Sequence, residues 1–144
     1  MLGGTSVWSE ALSFELMSLL FNAKLDKTEM ELEYWPNGSK ITDYSIKVSN
    51  LEFGVSVTRA MKFRGIFTEK DVTDLLTKKL YGVTVSSQNV MGTHWEKQVL
   101  HIWTEKRYMC DVLVAAFEKL TDETLKSSTL VILTSCECAE WIFY

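Results

Sequence analysis

Residues 30–61, MELEYWPNGSKITDYSIKVSNLEFGVSVTRAM, decide how the fold reads. Met30, Leu32 and Tyr34 alternate with Glu29, Glu31 and Glu33, a period of two that predicts a half-buried strand. Pro36-Asn37-Gly38-Ser39 follows, with one fixed φ and two residues that accept positive φ, so a hairpin is expected. Its Asn-Gly-Ser also matches a glycosylation acceptor, which the turn itself accounts for. Over 41–48, Tyr44, Ile46 and Val48 oppose Asp43, Ser45 and Lys47, and Ser49-Asn50 ends the run. Asp43 thus falls mid-strand, where aspartate is disfavoured. Over 51–61, Phe53, Val55 and Val57 face one way and Gly54, Ser56, Thr58 and Ala60 the other, the composition of a central strand.

Working outward, Ser6 is an N-cap candidate for a first helix over 6–21, with Trp8, Leu12, Leu16, Leu19 and Leu20 as its dry stripe and Phe14, Met17 and Phe21 widening the apolar surface. Glu15 borders that stripe and Glu10 projects elsewhere. Residues 22–28 read as a charged connection and 62–67 as a short basic one. Thr68 and Asp71 form a capping box for a second helix carrying Val72, Leu75, Leu76 and Leu80, stopped by Gly82. Residues 83–85 suggest a short strand and 86–94 a polar loop. Residues 98–104, apolar on both faces, read as an interior strand. A third helix over 105–120 carries Tyr108, Val112, Ala115, Ala116 and Leu120; residues 122–127 are its exit loop. TLVILT over 129–134 is a further strand, and AEWIFY over 139–144 reads as a final edge strand or a truncated end.

A chain of 144 residues with 47% hydrophobic content and one proline suits a single compact domain, able to bury roughly two-thirds of its unfolded surface. The net charge of −4 gives no global basic field, which argues against nonspecific binding to nucleic acid or acidic membranes. Three cysteines suit free thiols in a reducing compartment. No basic n-region opens the chain, and no apolar run reaches the roughly 18 residues that span a bilayer, so a cytoplasmic or nuclear protein is expected.

The order is α-β-β-β-α-β-α-β, an α/β fold with a mixed central sheet flanked by helices, because helical crossovers require adjacent parallel strands. With that order, Thr42-Asp43-Tyr44-Ser45-Ile46 and Gly54-Val55-Ser56-Val57-Thr58-Arg59-Ala60 resemble the acidic strand and the Glu-X-Lys strand of the PD-(D/E)XK nucleases, the restriction-endonuclease-like superfamily. The resemblance runs from about Ser6 to Thr134. It implies catalytic positions at Asp43, Ser56 and Thr58, and at Glu15, or Glu10, for the helical glutamate some members carry. It also implies Mg2+ or Mn2+ on Asp43 and Glu15 if the site is active. Here Ser56 replaces the family's glutamate and Thr58 its lysine, removing one metal ligand and one cation.

The expectation is therefore a catalytically degenerate nuclease-fold domain, without a cofactor, retained to bind a protein partner or nucleic acid. Arg59, Lys62, Arg64, Lys78 and Lys79 form the local basic set for nucleic acid. The alternatives are a divalent-metal nuclease remodelled around Asp43 and Glu15, and an unrelated α/β interaction domain. His94, His101, Cys110, Cys136 and Cys138 lack zinc spacing. His101 reads as a satisfied core histidine and Cys110 as a core thiol. The aromatic C-terminal edge, Trp141 to Tyr144, suits a homodimer or partner interface.

Overall fold

The computed structural model describes residues 2–35, 41–60, 68–95 and 97–137, with side chains from residue 7 onward. The elements are α1 (Leu2–Phe21), β1 (Lys24–Thr28), a 3-10 turn (Glu29–Glu31), β2 (Glu33–Tyr34), β3 (Tyr44–Val48), β4 (Leu51–Ala60), α2 (Glu69–Asn89), β5 (Val90–Met91), β6 (Gln98–Thr104), α3 (Arg107–Lys119), α4 (Glu123–Ser127) and β7 (Thr129–Ser135). One sheet runs β1-β3-β4-β6-β7, and β2 and β5 make a separate two-stranded ribbon. β1, β3 and β4 are antiparallel neighbours; β4, β6 and β7 are parallel, each crossover carrying helices. The protein is thus mixed α/β, with helices on both faces of its main sheet.

The first strand of that sheet is β1, inside the segment expected to be a connection, and β3 pairs with it rather than with residues 30–35. A local hydrogen-bond competition explains the change. The Glu31 carboxylate accepts from Thr28 N at 3.1 Å and from Thr28 Oγ1 at 3.0 Å, winding the chain into the 3-10 turn and breaking the alternation. Met30 is left 93% exposed, whereas Leu32 and Tyr34 pack with Trp95 under the small ribbon. The expected turn at 36–39 lies outside the described residues, as does the edge strand at 139–144. The hairpin between β3 and β4 turns on Ser49, at φ 56°.

α1 turns a different face inward from the one its leucines suggest. Ser9, Ser13 and Met17 are buried, while Trp8 is 58% and Leu19 81% exposed. The sheet supplies the reason. His101, buried in β6, and Tyr44 on β3 both need a polar partner, and Ser13 Oγ lies 2.7 Å from His101 Nδ1 and 2.7 Å from Tyr44 Oη. The Ser9 carbonyl accepts from Trp103 Nε1 at 3.2 Å. Unpaired buried polar groups cost more than exposed apolar ones, so the serine stripe faces the sheet. Met17, Tyr44, Ile46, Val55 and Val99 fill the rest of that layer.

On the opposite face α2 and α3 cover Leu100 and Ile102 with Leu76, Leu80 and Leu113. Thr68 and Asp71 cap α2 reciprocally, as their spacing predicts. The helix does not stop at Gly82; it continues through residues 83–85 to Asn89, because Val83 and Ser86 extend the buried stripe. α3 buries Met109, Leu113 and Ala116, one step round from the expected stripe, and leaves Tyr108 exposed. α4 replaces the expected exit loop, its first amides capped by the Asp122 carboxylate at 3.0 and 3.3 Å. β6 is buried at every position, as an interior parallel strand should be. No helix among the described residues is long and apolar enough to cross a membrane.

Candidate functional site

Asp43 lies at the bend one residue before β3. Its amide donates to Val55 O at 3.1 Å, and its carboxylate Oδ2 accepts from Val57 N at 2.7 Å. A side chain thus takes a ladder position that a backbone carbonyl would otherwise fill. This resolves the oddity of an aspartate at that point: it closes the end of the ladder.

Two more carboxylates meet it there. Ligand atoms of Glu10 from α1, Glu29 from the 3-10 turn and Asp43 all lie within 4.8 Å of one another. Burial pushes the Asp43 carboxyl up to about 7; the charges of Glu10 and Glu29 add to the shift, and the Val57 hydrogen bond and Lys79 oppose it. Glu29 is raised as well, by burial and then by Glu10. Asp43 and Glu29 thus both hold their protons more tightly than ordinary carboxylates, which a nearby cation would reverse. Oxygen donors from three carboxylates are the donor set that hard divalent cations take.

Glu15 is not part of this group. It stands five residues beyond Glu10, about 140° further round the helix, on the exposed side with Leu19. Glu10 shares the inward side with Ser13 and Met17. Ser56 and Thr58 occupy the β4 face turned toward α2, the face on which a Cβ at Gly54 would meet Trp95, Thr58 being 9% exposed. Arg59 is half-buried on the alternate face, Lys78 is exposed, and Lys79 is half-buried on α2 near enough to act on Asp43. Lys62 and Arg64 lie outside the described residues.

Glu29 is the member that pattern reading overlooked. The signal was the Thr28-x-x-Glu31 capping box, which turns the chain at Glu29 toward the start of β3. His101 is a satisfied core histidine: besides Ser13, its Nε2 lies 2.9 Å from Thr134 Oγ1, and burial lowers its pKa to about 4. Cys110 is half-buried rather than core, its Sγ 3.3 Å from Thr104 Oγ1. Among the described residues no three of His94, His101, Cys110 and Cys136 converge as metal ligands.

The chain is 42% identical over 149 residues to the AAC-rich mRNA clone AAC4 protein of Dictyostelium discoideum, an alignment covering 98% of this chain. The chain spans 22% of that relative's length. No family model and no solved structure matches the chain.

Proposed function

We propose that the chain is a restriction-endonuclease-like domain that holds a divalent cation on Glu10, Glu29 and Asp43 and uses it to engage the phosphodiester backbone of nucleic acid. The observation that carries this reading is the convergence of three carboxylates, from residues 10, 29 and 43, within 4.8 Å. A Mg2+ or Mn2+ ion relieves their repulsion and presents open positions to phosphate oxygens. The sheet order and the Asp43 position support the family assignment. Arg59, Lys78 and Lys79, with Lys62 and Arg64, are the cations proposed for the flanking phosphates.

Ser56 and Thr58 favour a second reading, in which the domain binds without cutting. Neither residue supplies the second anionic ligand or the cation that family members place there, so water activation would fall to the acidic group alone. Calorimetric Mn2+ titration of the wild type and Asp43→Asn, with parallel incubation on single-stranded, duplex and branched DNA and RNA, separates these. Metal binding and cleavage, both lost in Asp43→Asn, support the nuclease. Metal-dependent binding without cleavage supports the binding module. Absence of metal binding removes the proposal.

A further inference from the structure

On the α2/α3 side of the sheet, away from the acidic group, a groove of about 480 Å3 runs between α3, α4 and β7. Its volume lies within the roughly 300–1,000 Å3 of small-molecule sites. It is polar at one end only. Lys97 precedes β6, Gln98 is in register with Thr129 at the start of β7, and Lys126 and Ser127 end α4, so Lys97, Lys126, Ser127 and Thr129 gather at one mouth. From Thr129 the same face of β7 continues through Val131 to Leu133, a run of about 13 Å. Leu76, Leu113 and Phe117 wall that run.

Two observations at the mouth point to a ligand. Thr129 is 5% exposed and its Oγ1 is buried without a hydrogen-bond partner among the described residues. Native proteins rarely leave such a hydroxyl unsatisfied. Among the described residues neither Lys97 nor Lys126 forms an ion pair there. The Lys126 ammonium donates to the Leu120 carbonyl at 3.3 Å and lies 5.4 Å over the Phe117 ring, which holds it beside the groove. Glu118 on the wall carries the opposite sign, so among the described lining residues two lysines stand against one glutamate and leave a single positive charge.

We propose that this groove binds a single-chain amphiphile with a carboxylate head. The head carries the one negative charge that the lining lacks. It accepts from Thr129 Oγ1 and lies between Lys97 and Lys126, while the alkyl chain follows Val131 and Leu133 toward the apolar end. A cationic head would meet two ammonium groups, and a doubly charged phosphate would leave one charge unmatched beside Glu118.

The test is calorimetric titration of the full chain with sodium decanoate below its micelle concentration, against decyltrimethylammonium and phosphatidylserine vesicles. One decanoate per chain is expected, with the cationic analogue bound at least about tenfold more weakly. Thr129→Val should weaken decanoate about tenfold, the worth of one charge-assisted hydrogen bond, without lowering the unfolding midpoint. Lys126→Gln, at a half-buried position, should weaken it in the same direction. Non-saturating uptake, equal affinity for the cationic analogue, unchanged affinity in both variants, or binding to the vesicles alone would each overturn the proposal.

Discussion

The Asp43 carboxylate accepts the Val57 amide at 2.7 Å while its ligand atom lies within 4.8 Å of those of Glu10 and Glu29. One side chain closes the β3/β4 ladder and anchors the acidic group. The two roles are separable, because an asparagine keeps the acceptor and removes the charge. Asp43→Asn should leave the fold intact and abolish Mn2+ binding, read by circular dichroism and calorimetry. Unfolding of this variant at neutral pH would show instead that the charge itself is structural.

The glutamates divide by position on α1 and the turn. Glu10→Gln and Glu29→Gln should each weaken Mn2+ binding by about tenfold or more, the loss of one charged ligand. Glu15→Gln, on the exposed face, should change it little. Equal losses at Glu10 and Glu15 in the same titration would mean that the cation is held elsewhere.

Stability should respond to pH through two groups of opposite sign, half-buried Asp43 and buried His101. Asp43, at about 7 in the folded state against 3.8 ordinarily, takes up a proton that the unfolded chain lacks between those values. Its contribution is present at the acidic end and lost as pH rises toward 7. His101, at about 4 against 6.5, does the reverse: its contribution is present above 6.5 and lost as pH falls toward 4. In chelator, the wild type should therefore show a shallow profile. Asp43→Asn, relieved of the opposing aspartate, should show a clear rise in urea midpoint from about pH 4 to 6.5, worth up to about 3 kcal/mol.

Ser13 joins Tyr44 and His101 in the core. Ser13→Ala removes the shared partner of two buried polar groups and should cost on the order of 2–4 kcal/mol by urea denaturation. Leu19→Gln, at a position 81% exposed, should stay within about 0.5 kcal/mol of the wild type although it deletes a leucine from the same helix. A larger loss at Leu19 than at Ser13 would reverse the assignment of the inward face.

Gly54 leaves no room for a side chain: an added Cβ would lie 2.8 Å from Trp95 Cε3 and 3.0 Å from Gln98 Oε1. Gly54→Ala should destabilise the protein by roughly 1–3 kcal/mol and shift the tryptophan fluorescence. Trp95→Leu in the same chain should recover part of the loss.

Elements governed by local rules were legible in the chain itself. The Thr68/Asp71 cap, the alternation of β3 and β4, the all-buried β6 and the crossover rule together yield a mixed sheet flanked by helices, whereas Asp43, expected mid-strand, sits at the bend before β3. The inward face of α1, the identity of the first strand and the membership of the acidic group depended on contacts distant in sequence. Leucines outline a stripe on α1, but the need of His101 and Tyr44 for a partner selects the serine face, and that need appears only once β6 and β3 lie beneath the helix. Glu29 looks like the start of a strand until the Thr28 cap winds it into a turn beside Asp43. Periodicity records which side chains share an element. Which polar groups satisfy one another across elements is settled only where the chain has brought them within about 3 Å.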